Sequence, residues 1–89
     1  MTPRYRVEFT PAARKQHRGL PREVQERLDT HLLALASDPR PRGCRKLAGQ
    51  VDQYRLRVGD YRIIYTIRDD RLLVLVLRVG HRRDIYEER

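Results

Sequence analysis

The dipeptide Gly59-Asp60 separates two runs of residues that both have the composition of β-strands. Residues 54–58 and 61–67 are rich in β-branched and aromatic side chains, and a two-residue connection led by glycine is a strong signal for a tight hairpin. A loop formed by this dipeptide also fixes the register of the hairpin. The predicted cross-strand pairs are Val58 with Tyr61, Arg57 with Arg62, Leu56 with Ile63, and Tyr54 with Tyr65.

The predicted register gives the hairpin two faces of different character, because successive side chains of a strand point to opposite sides. One face is apolar and consists of Tyr54, Leu56, Val58, Tyr61, Ile63 and Tyr65. The other face carries Arg55, Arg57 and Arg62. Like charges directly opposite each other are unfavourable, and a guanidinium group is a planar fork that matches phosphate. The second face therefore predicts a phosphodiester-binding surface, with an ordinary solvated surface as the alternative.

The residues before the hairpin begin with a predicted strand and a short helix. Apolar and polar residues alternate over residues 5–9, which indicates a strand. Thr10 is a favourable N-cap, and Pro11 is favoured at the first position of a helix. We expect this helix to run from Pro11 to about Arg18 and to end at Gly19.

A second helix is predicted from Pro21 to the break at Asp38-Pro39. Apolar residues recur along it at helical spacing and form one stripe, which consists of Val24, Leu28, Leu32 and Leu35. The prolines and glycine that follow exclude regular structure, and we interpret residues 40–50 as a basic connecting loop.

The remaining residues complete the predicted sheet. Asp69-Asp70 indicates a second turn, and the wholly apolar run 72–77 predicts a central strand that is covered on both faces. The predicted fold class is therefore α+β with the order β-α-α-β-β-β, in which two N-terminal helices pack on a mainly antiparallel sheet. A chain of 89 residues accommodates one such unit, so we expect a single domain over residues 1–89.

The net charge of +8 at pH 7 indicates a polyanionic partner: a nucleic acid, an acidic protein or a membrane surface. A membrane partner is not expected, because no run of the sequence approaches the roughly 20 apolar residues that a span requires. The N-terminus carries charges where a signal peptide would be apolar, so we predict a cytoplasmic protein. His17, His31 and His81 lack metal-ligand spacing, and we expect neither a metal nor a cofactor.

The segment after the apolar run offers further charge and two candidate proton-transfer groups. It reads Gly80-His81-Arg82-Arg83-Asp84-Ile85-Tyr86. Arginines would stabilise the negative charge that develops on a phosphoryl group, but their pKa is too high for them to accept a proton. Tyr86 and His81 are the two candidates for that role, and Tyr86 has the alternative of being only a packing residue.

Two segments together resemble the RelE/ParE superfamily of bacterial toxin–antitoxin systems, and in particular its RelE-like ribonuclease branch. They are Tyr54–Tyr65, read YRLRVGDYRIIY, and Gly80–Tyr86, read GHRRDIY. Weaker matches occur at Phe9–Ala13, Leu20-Pro21, and Arg45-Lys46-Leu47 with Gly49. The resemblance covers almost the whole chain.

The resemblance implies a toxin that enters the ribosomal A site and cuts mRNA, with the RNA 2′-hydroxyl as nucleophile and no metal. It also implies neutralisation by a small RelB-like antitoxin. The catalytic positions carried over are Arg55, Arg57, Arg62, Arg82 and Tyr86. The positions expected to bind RNA are Arg45, Lys46, His81 and Arg83.

The sequence departs from the family at two positions, because several members have lysine where this chain has Arg55 and Arg57. Arginine keeps the charge but cannot transfer a proton, which leaves that step to Tyr86 or His81. The superfamily also contains ParE-type inhibitors of DNA gyrase with the same fold. A gyrase inhibitor and a non-enzymatic binding module therefore remain alternative predictions.

Overall fold

A computed structural model describes residues 4–49 and 52–85, and its helices and strands form two layers. The helices are α1 (Pro11–Arg18) and α2 (Arg22–Leu35). The strands of the described residues are β1 (Arg6–Phe9), β2 (Cys44–Lys46), β3 (Gln53–Val58), β4 (Tyr61–Arg68) and β5 (Leu73–His81). They form one sheet in the order β1-β5-β4-β3-β2, in which only the β1–β5 pair is parallel. The predicted α+β class and mainly antiparallel sheet are confirmed.

Helix α1 has the predicted boundaries, and its N-terminus shows why. The Thr10 side-chain hydroxyl accepts a hydrogen bond of 3.1 Å from the backbone N–H of Ala13, which satisfies one of the N–H groups left without a partner in the first turn. Pro11 occupies the first helical turn, where its missing N–H has no cost. Ala13 is fully buried against the core. The strand β1, the cap and α1 therefore follow from local sequence.

The apolar stripe of α2 is buried as predicted. Its four members, Val24, Leu28, Leu32 and Leu35, belong to the main hydrophobic core. Against them lies the predicted apolar face of the hairpin, with Leu56, Val58, Ile63 and Tyr65 buried, and Tyr54 and Tyr61 partly buried. Burial of one such aliphatic side chain contributes about 1.5–3 kcal/mol, so this layer contact accounts for much of the stability of the fold.

The hairpin between β3 and β4 has the predicted register at each pair. Gly59 has a φ of 60°, in the left-handed region where a side chain is disfavoured. That conformation permits the tight reversal and thereby places Val58 opposite Tyr61. The arginines of the hairpin consequently lie on the sheet face that points away from the helices.

The interpretation of residues 40–50 as a loop is wrong for three of them. Cys44–Lys46 forms the strand β2, which pairs antiparallel with β3, so that Arg45 lies opposite Arg55 and Lys46 opposite Tyr54. A strand of three residues has little β-propensity of its own, and the prolines before it indicate a loop in the sequence. The backbone of β3 supplies the missing hydrogen-bond partners, which no local pattern could indicate.

Strand β5 is an interior strand, but β4 rather than β5 lies at the middle of the sheet. One face of β5 enters the main core through Val74 and Val76, which are fully buried. The other face is covered in part by a second cluster, in which Leu77 packs against Leu47, Ile64 and Ile85. Of the apolar run 72–77, this cluster covers Leu77, whereas Leu72 lies before the strand and is exposed.

A β-bulge interrupts β5 beside this second cluster. Tyr65 pairs with Val76 and Ile64 pairs with Arg78, so Leu77 is an extra residue without a directly opposite partner. Bulges of this kind change which face the following side chains occupy.

Within the described ranges, neither helix is long and apolar enough to span a membrane.

Candidate functional site

Five arginines of the described residues lie on the sheet face that points away from the helices, and we call this surface the arginine face. Directly opposite residues of an antiparallel pair share a face, so the register assigns each side chain. One row crosses the sheet through Arg45, Arg55, Ile64 and Arg78. A second row, nearer the hairpin loop, runs through Arg57, Arg62 and Gly80. The predicted grouping of Arg55, Arg57 and Arg62 on one face agrees with this register.

The guanidinium group of Arg62 is held against the hairpin loop. Its Nη1 donates to the backbone oxygen of Gly59 at 3.1 Å and to that of Tyr61 at 3.0 Å. Only 9% of the residue is exposed, whereas Arg57 directly opposite is exposed. A fixed, largely buried cation loses little freedom when it binds an anion, which is the preorganisation that transition-state stabilisation needs.

Arg82 lies at the same end of the sheet as Arg57 and Arg62. Its backbone N–H donates to the oxygen of Asp60 at 2.7 Å, which joins the turn after β5 to the hairpin loop. Its Nε lies 3.9 Å from a carboxylate oxygen of Asp60, and the side chain remains 64% exposed. Such an exposed, long contact is weak, so the Arg82 guanidinium can exchange it for a phosphate.

His81 lies on the opposite face from these arginines. Its strand partner is Tyr61, which packs on the helix side, and the two rings meet edge to face with centroids 5.3 Å apart. The imidazole Nδ1 accepts a hydrogen bond of 3.2 Å from the backbone N–H of Arg83, and the backbone oxygen accepts one of 2.8 Å from Asp84. His81 therefore shapes the turn that carries Arg82 and Arg83.

After this turn the chain returns to the arginine face at Ile85. This side chain is 7% exposed and packs in the second cluster with Leu47, Ile64 and Leu77. Tyr86 lies outside the described residues, so its predicted role is a proposal below. In the sequence it follows directly after Ile85, a residue seated on the arginine face.

The predicted RNA-binding residues are divided between the two faces. Arg45 joins the arginine face through its pairing with Arg55, whereas Lys46 pairs with Tyr54 and lies on the helix side. Arg83 is exposed in the turn after β5. Sequence reasoning missed Arg78, because in strict alternation it would follow Val74 and Val76 toward the helices. The bulge at Leu77 reverses that assignment, and the uniformly apolar run gave no sign of it.

A separate polar network closes the other end of the sheet. Arg40 donates from two nitrogens to the two carboxylate oxygens of Asp69, at 3.2 and 2.8 Å, and the Tyr5 hydroxyl donates to Asp69 at 2.6 Å. These bonds, that from Arg40 above all, lower the pKa of Asp69 to about 2. The guanidinium of Arg40 also lies over the ring of Tyr54, 5.4 Å from its centroid. The network ties the connector after α2 to the turn before β5.

Comparison with known proteins identifies the class of protein to which this chain belongs. Residues 7–86 match the family described as "ParE toxin of type II toxin-antitoxin system, parDE". The chain is 34% identical over 88 residues to the mRNA interferase toxin RelE of Escherichia coli, covering 94% of this chain and 92% of the relative. It is 37% identical over 86 residues to the toxin RelG of Mycobacterium tuberculosis, covering 92% and 95%.

Solved structures agree with these matches. The toxin–antitoxin complex RelBE2 of M. tuberculosis superposes with a TM-score of 0.81 at 29% identity, covering 91% of this chain and 94% of that chain. The intact E. coli RelBE complex gives a TM-score of 0.78 at 32% identity, covering 86% and 95%. Fold and matches together define a toxin of a type II toxin–antitoxin system. The chain belongs to the RelE/ParE toxin superfamily, as the resemblance predicted.

Proposed function

We propose that this protein is an mRNA-cleaving toxin: one domain over residues 1–89 that acts in the cytoplasm on mRNA in the ribosomal A site. The observation that carries the proposal is the arginine face, where Arg57 and Arg62 form a directly opposed pair at the end of the sheet that also holds Arg82. Like charges directly opposite each other across two strands repel, and a bound anion would offset that repulsion. The 34% identity to an mRNA interferase indicates RNA as that anion.

The proposed reaction is an internal transfer within the RNA. The 2′-hydroxyl oxygen attacks the adjacent phosphorus while the bond from phosphorus to the 5′-oxygen breaks, which leaves a 2′,3′-cyclic phosphate and a 5′-hydroxyl. One proton leaves the attacking hydroxyl and one is delivered to the departing oxygen. Negative charge grows on the non-bridging oxygens, and removal of one donor to such charge typically costs about 10²–10³ in rate.

The structure supports different roles for the arginines. We assign the stabilisation of charge on the phosphoryl oxygens to Arg62, which the hairpin carbonyls hold, and to Arg82, which is exposed in the adjoining turn. Arg55 and Arg57 on β3 orient the backbone of the substrate. Arg45 extends the arginine face. Arg83, in the turn after β5, and Lys46, on the edge strand β2, contact RNA from the margins of this face.

Tyr86 is the proposed proton-transfer group. His81, the other candidate from the sequence, faces the helix side, and its Nδ1 is occupied by the Arg83 N–H. In this proposal His81 therefore acts on RNA binding only through the turn that it shapes. Tyr86 follows Ile85, which is seated on the arginine face, and neighbouring cations favour the ionised form of a tyrosine.

Cell-free translation followed by primer extension tests the proposal. We expect wild-type protein to produce cuts in mRNA that require translating ribosomes. An Arg22→Ala variant is the matched control, because it removes one charge from an exposed position of α2 on the other side of the molecule. Intact mRNA with wild-type protein would reject this function.

Inhibition of DNA gyrase is the second candidate, because the matching family is described as a ParE toxin. In that case the arginine face would serve docking to a protein or to DNA rather than cleavage. A supercoiling assay separates the two functions. Inhibition of gyrase at concentrations that leave translation intact would favour the ParE-type activity.

The proposed protein partner is a RelB-like antitoxin, since several similar solved structures are toxin–antitoxin complexes. A groove of about 290 Å³ lies beside the edge strand β1 and is lined by Val7, Phe9, Asp29, Leu32 and Leu33. Leu33 is 71% exposed at this groove, and with Val7 and Leu32 it gives the groove an apolar lining. We assign this groove to an apolar segment of the antitoxin.

A further inference from the structure

We infer that Arg45, Arg55 and Arg78 form a second phosphate site, which binds the RNA backbone next to the phosphodiester that is cut. The inference rests on the proposed function and extends it by a binding site and by Arg78. Its ligand is a backbone phosphate of single-stranded RNA, recognised by charge and by the forked donors of arginine rather than by base identity.

The first support is the position of Arg78 after the bulge. Because Leu77 is the extra residue, Arg78 lies opposite Ile64, which in turn lies opposite Arg55. Arg55 lies opposite Arg45 on β2. The three arginines therefore come from three different strands and share one line across one face of the sheet. The bulge thereby adds a third cation to this line, where three forked side chains can converge on one phosphate.

The second support is the distance of this row from the proposed cleavage site. The row Arg45–Arg55–Arg78 is two residues along the strands from the row that contains Arg57 and Arg62. Two residues of strand correspond to about 7 Å. A single-stranded RNA whose backbone runs along the direction of the β-strands can thus place neighbouring phosphates on the two rows.

The third support is the apolar surface between the cations. Ile64, Leu47 and Ile85 form the second cluster, and Ile64 stands in the row between Arg55 and Arg78. Arg55 and Arg78 are both half-buried, so their charges are only partly screened by water. Partly buried cations on a rigid sheet hold a phosphate more strongly than mobile surface side chains do.

The test measures RNA affinity against salt concentration with a probe that cannot be cut. The probe is a short oligoribonucleotide with 2′-O-methyl groups at each position, bound to wild-type protein and to Arg78→Ala, Arg78→Lys and Arg22→Ala variants. For single strands each phosphate contact contributes about 0.7 to the slope of log affinity against log salt. We expect Arg78→Ala to lower the slope by about 0.7 and Arg78→Lys to preserve it.

The control and a second readout make the outcome decisive. Arg22→Ala removes the same charge from the helix side, and we expect it to keep the wild-type slope. Each variant is first shown to unfold at a temperature near that of the wild type. If the alanine variant does not fold, Arg78→Gln replaces it, because glutamine removes the charge but keeps much of the side chain, and we expect it to lose the same slope. An Arg78→Ala slope equal to that of Arg22→Ala would overturn the inference. So would Arg78→Lys losing as much slope as alanine, since the site is argued from charge.

Failure of the inference is distinguishable from failure of the proposed function. The same proteins are assayed for cleavage of mRNA on ribosomes. If the wild type cuts mRNA and Arg78→Ala keeps its salt slope, the second phosphate site is wrong and the function stands. If the wild type does not cut but Arg78→Ala loses slope, the site binds RNA backbone and the cleavage proposal is wrong.

Discussion

Gly80 lies against Ile85, so closely that a methyl group added at Gly80 would come within 3.3 Å of Cδ1 of Ile85. Gly80 belongs to the row of Arg57 and Arg62, and Ile85 belongs to the cluster that covers Ile64. The contact thus fixes how far Ile85, after the turn that carries Arg82, lies from the backbone of the sheet. Since Tyr86 is the next residue in the sequence, we expect this contact to affect the position of the proposed proton-transfer group.

Substitution of Gly80 by alanine tests this relationship. The backbone of Gly80 lies outside the left-handed region, so the added methyl group acts only by pressing on Ile85. We expect mRNA cleavage to fall by about tenfold or more, because small displacements of reacting groups have large effects on rate. Ile85→Val removes the nearer atom, and the double variant Gly80→Ala/Ile85→Val is expected to regain most of the activity. A double variant slower than both single variants would contradict the positioning role.

His81 is expected to act through the hydrogen bond between its Nδ1 and the Arg83 N–H. Asparagine can place an acceptor oxygen near the position of Nδ1, whereas glutamine places its polar end near that of Nε2. We therefore expect His81→Asn to cleave mRNA within a few-fold of the wild type and His81→Gln to lose about tenfold. A proton-transfer role would instead cost about 10²–10⁴ in both variants and change the pH profile. Equal, large losses would refute the positioning role.

The bidentate contact of Arg40 with Asp69 makes stability depend on pH in the acid range. The pKa of Asp69 is about 2 in the fold, below its ordinary value of 3.8, because Arg40 and Tyr5 donate to the carboxylate. A lowered pKa means that the contribution to stability is present above about pH 4 and is lost as the pH falls toward 2.

Asp69→Asn tests this dependence through urea unfolding at several pH values. We expect the variant to have a lower midpoint than the wild type at pH 7, and the difference to close as the pH approaches 2. Asp70→Asn, at the neighbouring exposed position, is the matched control and should keep the wild-type midpoint. A difference between Asp69→Asn and the wild type that is constant with pH would contradict the assignment.

The groove beside β1 predicts an effect on antitoxin binding that is separate from catalysis. Leu33→Asp places a charge in the groove, and we expect the affinity for the antitoxin to fall by at least about tenfold. His31→Asp adds the same charge at an exposed position on another side of α2 and should bind normally. Both variants are expected to cleave mRNA at the wild-type rate. Unchanged binding by Leu33→Asp would place the antitoxin elsewhere.

Those parts of the fold that depend on local chemistry could be predicted from the sequence. The cap at Thr10, the stripe of α2 and the two-residue loop at Gly59 each act within a few residues, so they leave a recognisable pattern. The register of the hairpin then followed, and with it the shared face of Arg55, Arg57 and Arg62. Strand β2 could not be predicted, because its structure depends on the backbone of β3 rather than on its own residues.

Some features could not be predicted from the sequence. They depend on contacts between residues that are distant in the sequence, or on a break in the alternation of side chains along a strand. Arg78 reaches the arginine face only because Leu77 is an extra residue in β5. His81 is consequently placed on the helix side, which no reading of the tail alone could decide. The contact of Arg40 with Asp69 joins residues 29 apart in sequence, at positions that looked like ordinary loop residues.

The central claim is that the arginine face carries out the cleavage of mRNA, and single-turnover cleavage on stalled ribosomes tests it most directly. We expect the wild type and Arg22→Ala to cut at equal rates, and Arg62→Ala and Arg82→Ala to be slower by about 10²-fold or more. Arg62→Ala also loses the bonds to the hairpin carbonyls, so its folding is checked first. Cleavage at the wild-type rate by both folded arginine variants would contradict the claim.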